Sequence, residues 1–252
     1  AHLTFGYEFN QDVSNLPPFL THLTFGDKFN QDVSNLPQTL TYLNIGEYNR
    51  DVSNLPQTLT HLIFGEYFNQ DVSNLPPTLT HLTFDEFFNQ DVSNLPPSIT
   101  YLIFGKKFDQ DVSNLPYNLT HLTFDKWFDK NISKIPQTLT CLTLGPLFNE
   151  NVSILPKKLT HLTFGSNFNK DISELPPYLT HLIFGYHFNQ DISKLPQGIT
   201  HLTFGCNFNQ QCNILPNIKY LELNCNNKNI IDSLPNSVIE LELGYYFDLE
   251  LN

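Results

Sequence analysis

Residues 16–36 read Leu16-Pro17-Pro18-Phe19-Leu20-Thr21-His22-Leu23-Thr24-Phe25-Gly26-Asp27-Lys28-Phe29-Asn30-Gln31-Asp32-Val33-Ser34-Asn35-Leu36, and the phrase recurs along the whole chain. With the central leucine as marker it returns at Leu3, Leu23, Leu43, Leu62, Leu82, Leu102, Leu122, Leu142, Leu162, Leu182, Leu202, Leu221 and Leu241. The period is 20 residues, shortened to 19 in the intervals ending at Leu62 and Leu221. A fixed period of this length marks a solenoid, in which a repeat buries its apolar face only by stacking on its neighbours. Residues 1–252 read as one such array, without linker or second domain, with both ends falling inside a repeat.

Within one turn the apolar residues are Leu20, Leu23, Phe25, Phe29, Val33, Leu36 and Leu40, which fits neither a helical face nor continuous alternation. The two-residue step from Leu23 to Phe25 marks a short strand pointing those side chains inward, with His22 and Thr24 on the outer face. The expected fold is therefore an α/β-class leucine-rich-repeat-like solenoid that is essentially all-β. It has about thirteen turns of 20 residues, one short parallel strand per turn and little or no helix. A glycine follows most strands, at Gly6, Gly26, Gly46 and onward, replaced by Asp85, Asp125 and Asn224. Because Asp and Asn best tolerate positive φ after glycine, this column predicts a left-handed turn. Twelve prolines, Pro17 through Pro235, precede successive strands and predict an extended approach. Twenty of the 22 Phe lie in the columns of Phe5 and Phe9, and the Val13 column is β-branched in every complete turn except at Cys212, so these columns are core.

The chain carries 13 Lys+Arg against 25 Asp+Glu, a net charge of −12. That balance argues against nucleic acid or an anionic membrane as partner, since Lys and Arg hold both. No apolar run approaches the roughly 18 residues of a membrane span. Four Cys without zinc spacing fit a reducing, cytoplasmic compartment, the host cytoplasm if the source is viral. No cofactor is expected. An enzyme needs a unique constellation, and the repeat offers no nucleophile elbow, phosphate loop or isolated carboxylate pair, so no catalytic residue is assigned.

The turn Leu16–Asn30, with its Phe29-Asn30, Val33 and Pro37, closely resembles the FNIP repeat, a relative of the leucine-rich repeat found in social amoebae and giant viruses of amoebae. The resemblance spans the chain, and the phrase recurs through Phe208-Asn209. The penultimate turn, Leu221-Glu222-Leu223-Asn224-Cys225-Asn226, is instead similar to the core of an ordinary leucine-rich repeat. The resemblance implies a protein-recognition array, often the substrate-binding part of an F-box-type ubiquitin ligase adaptor. No F-box stands within residues 1–252. A structural or virion-associated solenoid without a selective partner remains an alternative.

Several columns carry polar chemistry. The Asn column (Asn10, Asn30, Asn49 and equivalents, with Asp109 and Asp129) reads as a ladder accepting from loop amides. The Asp column (Asp12, Asp32, Asp51, Asp71, Asp91, Asp111, Asp171, Asp191) reads as Asx-turn capping, with calcium as the functional alternative. Eight of nine His share one outward strand column with Tyr42 and Tyr101, which reads as ring stacking. His161, His181 and His201 are its best metal candidates. Crowded imidazoles should have depressed pKa values, making the fold acid-sensitive. In the loop, Tyr67, Phe87, Trp127 and Leu147, interrupted by Lys107, form a candidate rim for a protein partner, with Tyr42 and Tyr101 on the adjoining strand face. Cys206 and Cys225 occupy one column in adjacent turns, within disulfide reach. The end strands provide a route to end-to-end self-association.

Overall fold

A computed structural model of the chain describes residues 1–211, 216–244 and 247–248. The chain forms two compact units, Ala1–Phe128 and Asp129–Asn252. The first carries β1 (His2–Thr4), β2 (His22–Thr24), β3 (Tyr42–Asn44), β4 (His61–Ile63), β5 (His81–Thr83), β6 (Tyr101–Ile103) and β7 (His121–Thr123). The second carries β8 (Cys141–Thr143), β9 (His161–Thr163), β10 (His181–Ile183), β11 (His201–Phe204), β12 (Tyr220–Leu223), the short helix α1 (Lys228–Asp232) and β13 (Glu240–Leu243). Within each unit, strands follow sequence order and neighbours pair in parallel. The register matches equivalent positions, as in Leu3↔Leu23 and Leu182↔Leu202. The expected leucine-rich-repeat-like β-solenoid is present, and α1 is the sole helix among the described residues.

All seven apolar positions read from the repeat are buried, Leu20, Leu23, Phe25, Phe29, Val33, Leu36 and Leu40 alike. Three β-turns per repeat fold them inward. Phe29 N donates to Gly26 O (3.1 Å), Leu36 N to Val33 O (3.4 Å) and Leu40 N to Pro37 O (3.1 Å). Proline thus opens a turn rather than leading straight into the strand. The two phenyl columns stack within a turn, Phe25 on Phe29 at 3.7 Å and Phe184 on Phe188 at 3.7 Å, and again between turns, Phe64 on Phe84 at 5.5 Å. The β-branched column is buried from Val13 to Ile192; Cys212 lies outside the described residues.

The glycine column has a different cause from the one expected. Among the described residues only Gly46 has positive φ, at 57°, and Asp85 and Asp125 do not share it, so left-handed tolerance does not select the column. Close approach to the preceding turn marks the glycine rungs, while Asp85, Asp125 and Asn224 carry a side chain at the same place. A Cβ on Gly185 would sit 2.1 Å from the carbonyl oxygen of Gly165, and one on Gly26 2.3 Å from that of Gly6. Gly46 is special because its loop is one residue short: Gly46-Glu47-Tyr48 stands where other turns have Gly26-Asp27-Lys28-Phe29. The left-handed backbone closes that loop and lets Tyr48 fill the phenyl position, 6.4 Å from the Phe29 ring, with its hydroxyl donating to Asp51 O (2.7 Å). Burial pushes the Tyr48 phenol pKa upward.

The penultimate turn departs as its sequence does. After β12 the chain forms α1, whose Ile230 is buried, and Asn227 is buried with Nδ2 donating to Gln210 O (2.9 Å).

Gly185→Ala should therefore lower stability by about 1–3 kcal/mol through backbone overlap, whereas Gly6→Ala, with nothing within 4 Å of its Cβ, should change it by less than about 0.5 kcal/mol. Urea melts of the two variants check this.

Candidate functional site

Three surfaces carry the polar and exposed side chains, and the in-register stack makes each a ladder. On the sheet face the outward strand column forms rows of stacked rings. In the first unit His61 lies 4.1 Å from His81, and Tyr101 lies 5.4 Å from His81 and 5.5 Å from His121. Tyr42 sits between His22 (5.6 Å) and His61 (6.2 Å). In the second unit His161, His181, His201 and Tyr220 stack at 4.1, 3.9 and 4.3 Å. The residue before each histidine explains their common orientation. Thr60, Thr80, Thr120, Thr160, Thr180 and Thr200 each place Oγ1 2.9 Å from Nδ1 of the following ring. Nε2 is left free of that contact. Because the planes are nearly parallel, the Nε2 edges of His161, His181 and His201 run side by side instead of converging on one point. Among the described residues no group of three His, Cys, Asp or Glu is placed to hold a metal ion.

On the loops, the Asn of the ladder from Asn10 to Asn189 accept from the next turn. Asn69 N donates to Asn49 Oδ1 (3.0 Å) and Asn189 N to Asn169 Oδ1 (2.9 Å). Gln70 Nε2 and Gln190 Nε2 donate to the same oxygens. The Asp column forms Asx turns, and both carboxylate oxygens are occupied by one serine. Ser73 N donates to Asp71 Oδ1 (3.0 Å) and Ser73 Oγ to Oδ2 (2.7 Å). Asn131 and Asn151 keep the backbone half of this arrangement, accepting from Ser133 N and Ser153 N at 2.7 Å. The serine bonds hold the Asp71, Asp91 and Asp191 carboxyls below the usual carboxylate range. The Asp-x-Ser spacing was visible in sequence, but the serine's role in it was not assigned.

The rim of the first unit is a continuous stack. Tyr67 lies on Phe87 with ring centroids 5.3 Å apart. Lys107 does not interrupt it as expected: its Nζ lies 4.0 Å from the Phe87 centroid and 5.9 Å from that of Trp127, bridging the two rings. Backbone bonds pin this column, since Phe87 N, Lys107 N and Trp127 N donate at 2.9 Å to Glu66 O, Glu86 O and Lys106 O. Tyr67 is 45% and Trp127 52% exposed, with Phe87 half-buried between them. Beside the stack Glu86 and Lys106 form an ion pair at 2.6 Å. In the second unit Leu147 is exposed at the equivalent position, and the following rungs are polar, with Asn207 Nδ2 3.1 Å from His187 Nδ1. Cys206 and Cys225 are free thiols; burial raises the pKa of Cys225, and the nearby Cys206 adds to the shift.

The FNIP repeat model matches residues 12–48, 51–87, 172–195, 193–226 and 212–246. The chain belongs to the FNIP repeat family. Among solved structures this FNIP array is similar to CroV588 of a giant virus, described as a novel circular leucine-rich-repeat protein. The two are 37% identical with a TM-score of 0.76 over 97% of this chain and 46% of that one. It also shares its fold with the functional domain of InlJ from Listeria monocytogenes, described as including a cysteine ladder: 20% identity, TM-score 0.55, 86% of this chain and 58% of that one. The FNIP chain thus spans about half the length of these neighbours. Among curated proteins none matches. Leucine-rich-repeat-like solenoids of this kind typically scaffold protein interactions. No helix among the described residues is long and apolar enough to cross a membrane.

The strand-face rings should make the FNIP array acid-sensitive. Burial first, and neighbouring imidazoles second, hold the pKa values of His81 and His181 below 6.5. The unfolded chain therefore takes up protons first, so this stability is present above the unfolded value and lost as pH falls through it. The melting temperature should fall between about pH 7.5 and pH 5, and an unchanged value would refute the account. The Asp column has the same sign, but its window opens only below the carboxylate's ordinary 3.8.

Proposed function

We propose that this FNIP array is a protein-recognition module whose first unit engages its partner through the Tyr67, Phe87, Lys107 and Trp127 rim and the adjoining strand face with Tyr42 and Tyr101. One observation supports this above the others. A regular array makes every rung alike, yet this rim is a run of large aromatic groups packed in line through Lys107, with Tyr67 and Trp127 exposed and Phe87 half-buried between them. Aromatic side chains anchored on a rigid backbone lose little conformational freedom on binding, which favours them as interface hot spots. Leu147 is the corresponding contact offered by the second unit.

The finer role, the substrate-binding part of an F-box-type ubiquitin ligase adaptor, has the family resemblance as its support and requires a docking segment outside residues 1–252. A reducing cytoplasmic compartment agrees with the free thiols of Cys141, Cys206 and Cys225. Self-association through the end strands β1 and β13 is tested by light scattering at high concentration, where a monomer overturns it.

The deciding experiment is crosslinking capture from the source cells' lysate with the native chain and a Tyr67→Ala, Phe87→Ala, Trp127→Ala variant that still melts cooperatively. A protein retained by the native array and lost by the variant supports the recognition reading. Recovery of nothing by either favours a structural solenoid, and equal recovery of one protein by both overturns the rim as its contact.

A further inference from the structure

The ring ladder of the second unit stops abruptly. His161, His181, His201 and Tyr220 stack rung on rung, but the residue in register with Tyr220 on the next strand is Glu240. One face of the Tyr220 ring is covered by His201, and the other has no ring partner among the described residues. Tyr220 is 38% exposed. The second outward column changes at the same rungs, from Ile183 and Thr203 to Glu222 and Glu242. Together these columns line a cavity of about 240 Å³ on the sheet face, with His181, His201 and Tyr220 along one wall and Ile183, Glu222 and Glu242 along the other.

The polar groups of this cavity differ in how they are satisfied. Glu222 is held in place, its Oε2 accepting from Thr203 Oγ1 (3.0 Å) and its Oε1 from Asn224 Nδ2 (2.9 Å). The side chains of Glu240 and Glu242 are exposed, and their carboxylates make no hydrogen bond or ion pair among the described residues. Three carboxylates on two adjacent rungs, none of them in an ion pair among the described residues, repel one another and favour a cationic occupant. The open phenol face adds shape to that charge: it accepts a flat group stacked where the next ring would stand. A guanidinium is flat, permanently charged and carries five donors and no acceptor, so one group satisfies the ring face and the carboxylates together. An ammonium meets the charge but not the plane.

We infer that the strand face of the second unit is a docking groove for an arginine of a polypeptide partner, its guanidinium stacked on Tyr220 as the ladder's next rung and paired with Glu240 and Glu242. The groove lies on β10 to β13 and is independent of the first unit's rim, so it adds a second, charge-selective contact to the recognition reading. Neither the position of the groove nor its selectivity follows from the repeat consensus, because it exists only where His and Thr give way to Tyr and Glu.

The test is a titration of the full chain with capped Gly-Arg-Gly, read by NMR of labelled tyrosine rings, beside the lysine and citrulline peptides. Saturable shifts at Tyr220 are expected, with the neutral, isosteric citrulline peptide binding about tenfold or more weakly and the lysine peptide weaker than arginine. Glu240→Gln with Glu242→Gln should weaken arginine binding by about tenfold without altering the melting temperature. Glu240→Tyr, which continues the ladder and covers the open ring face, should abolish binding while leaving the fold at least as stable. The Tyr67→Ala, Phe87→Ala, Trp127→Ala variant should bind the arginine peptide normally, which separates this site from the rim. Equal affinity for arginine and citrulline peptides, undiminished binding by Glu240→Tyr, or no saturable shift at Tyr220 would each overturn the inference.

Discussion

Parallel, in-register hydrogen bonding between one turn and the next is the constraint on which everything else in this protein depends. Thr41 N and Tyr42 N both donate to Thr21 O, and the same pair of bonds recurs at Thr180 and His181 to Thr160 O. Such stacking puts like beside like at every position, so only residues that tolerate their own copies can occupy a column. Phenyl and leucyl groups do so by packing. Amides do so because each oxygen accepts from the turn above. Carboxylates do so only because a serine two residues on occupies both oxygens, and imidazoles because a threonine fixes the ring, while at His81 and His181 burial and then the neighbouring rings hold the pKa down.

Most of the fold was legible for the same reason. A period of 20 with a two-residue apolar step admits few architectures, and the seven apolar positions of one repeat all proved buried. The glycine column was legible as a column but not in its cause. Sequence shows that glycine is favoured there, not whether dihedral angle or proximity favours it; a Cβ placed on a glycine rung would lie about 2 Å from the preceding carbonyl oxygen, which points to proximity at those rungs, with Asp85, Asp125 and Asn224 as exceptions. The prolines were misread for a related reason: a locked φ suits an extended approach and the start of a turn equally well.

The candidate site was legible only in part. The exposed aromatic residues of the rim stood out because they depart from the repeat, whereas Lys107 looked like an interruption, since a cation gives no sign in sequence of lying on a ring. The groove at Tyr220, Glu222, Glu240 and Glu242 was hidden for the opposite reason. Those residues belong to turns already marked as irregular, and only the register between β12 and β13 places a carboxylate where a ring is missing.

The shortened loop at Gly46 has an implication for how such a chain tolerates change in length. One residue is lost between two ladders, yet Tyr48 restores the phenyl contact and β4 still pairs Tyr42 with His61 and Leu43 with Leu62. The ladders are therefore separately anchored, and the segments between them absorb insertions and deletions locally without passing a frame error down the stack. Whole-turn duplication preserves every ladder at once. Growth by copying and divergence by small slips are thus both compatible with the same backbone, which leaves the rim and strand-face columns free to vary in identity while their spacing is conserved.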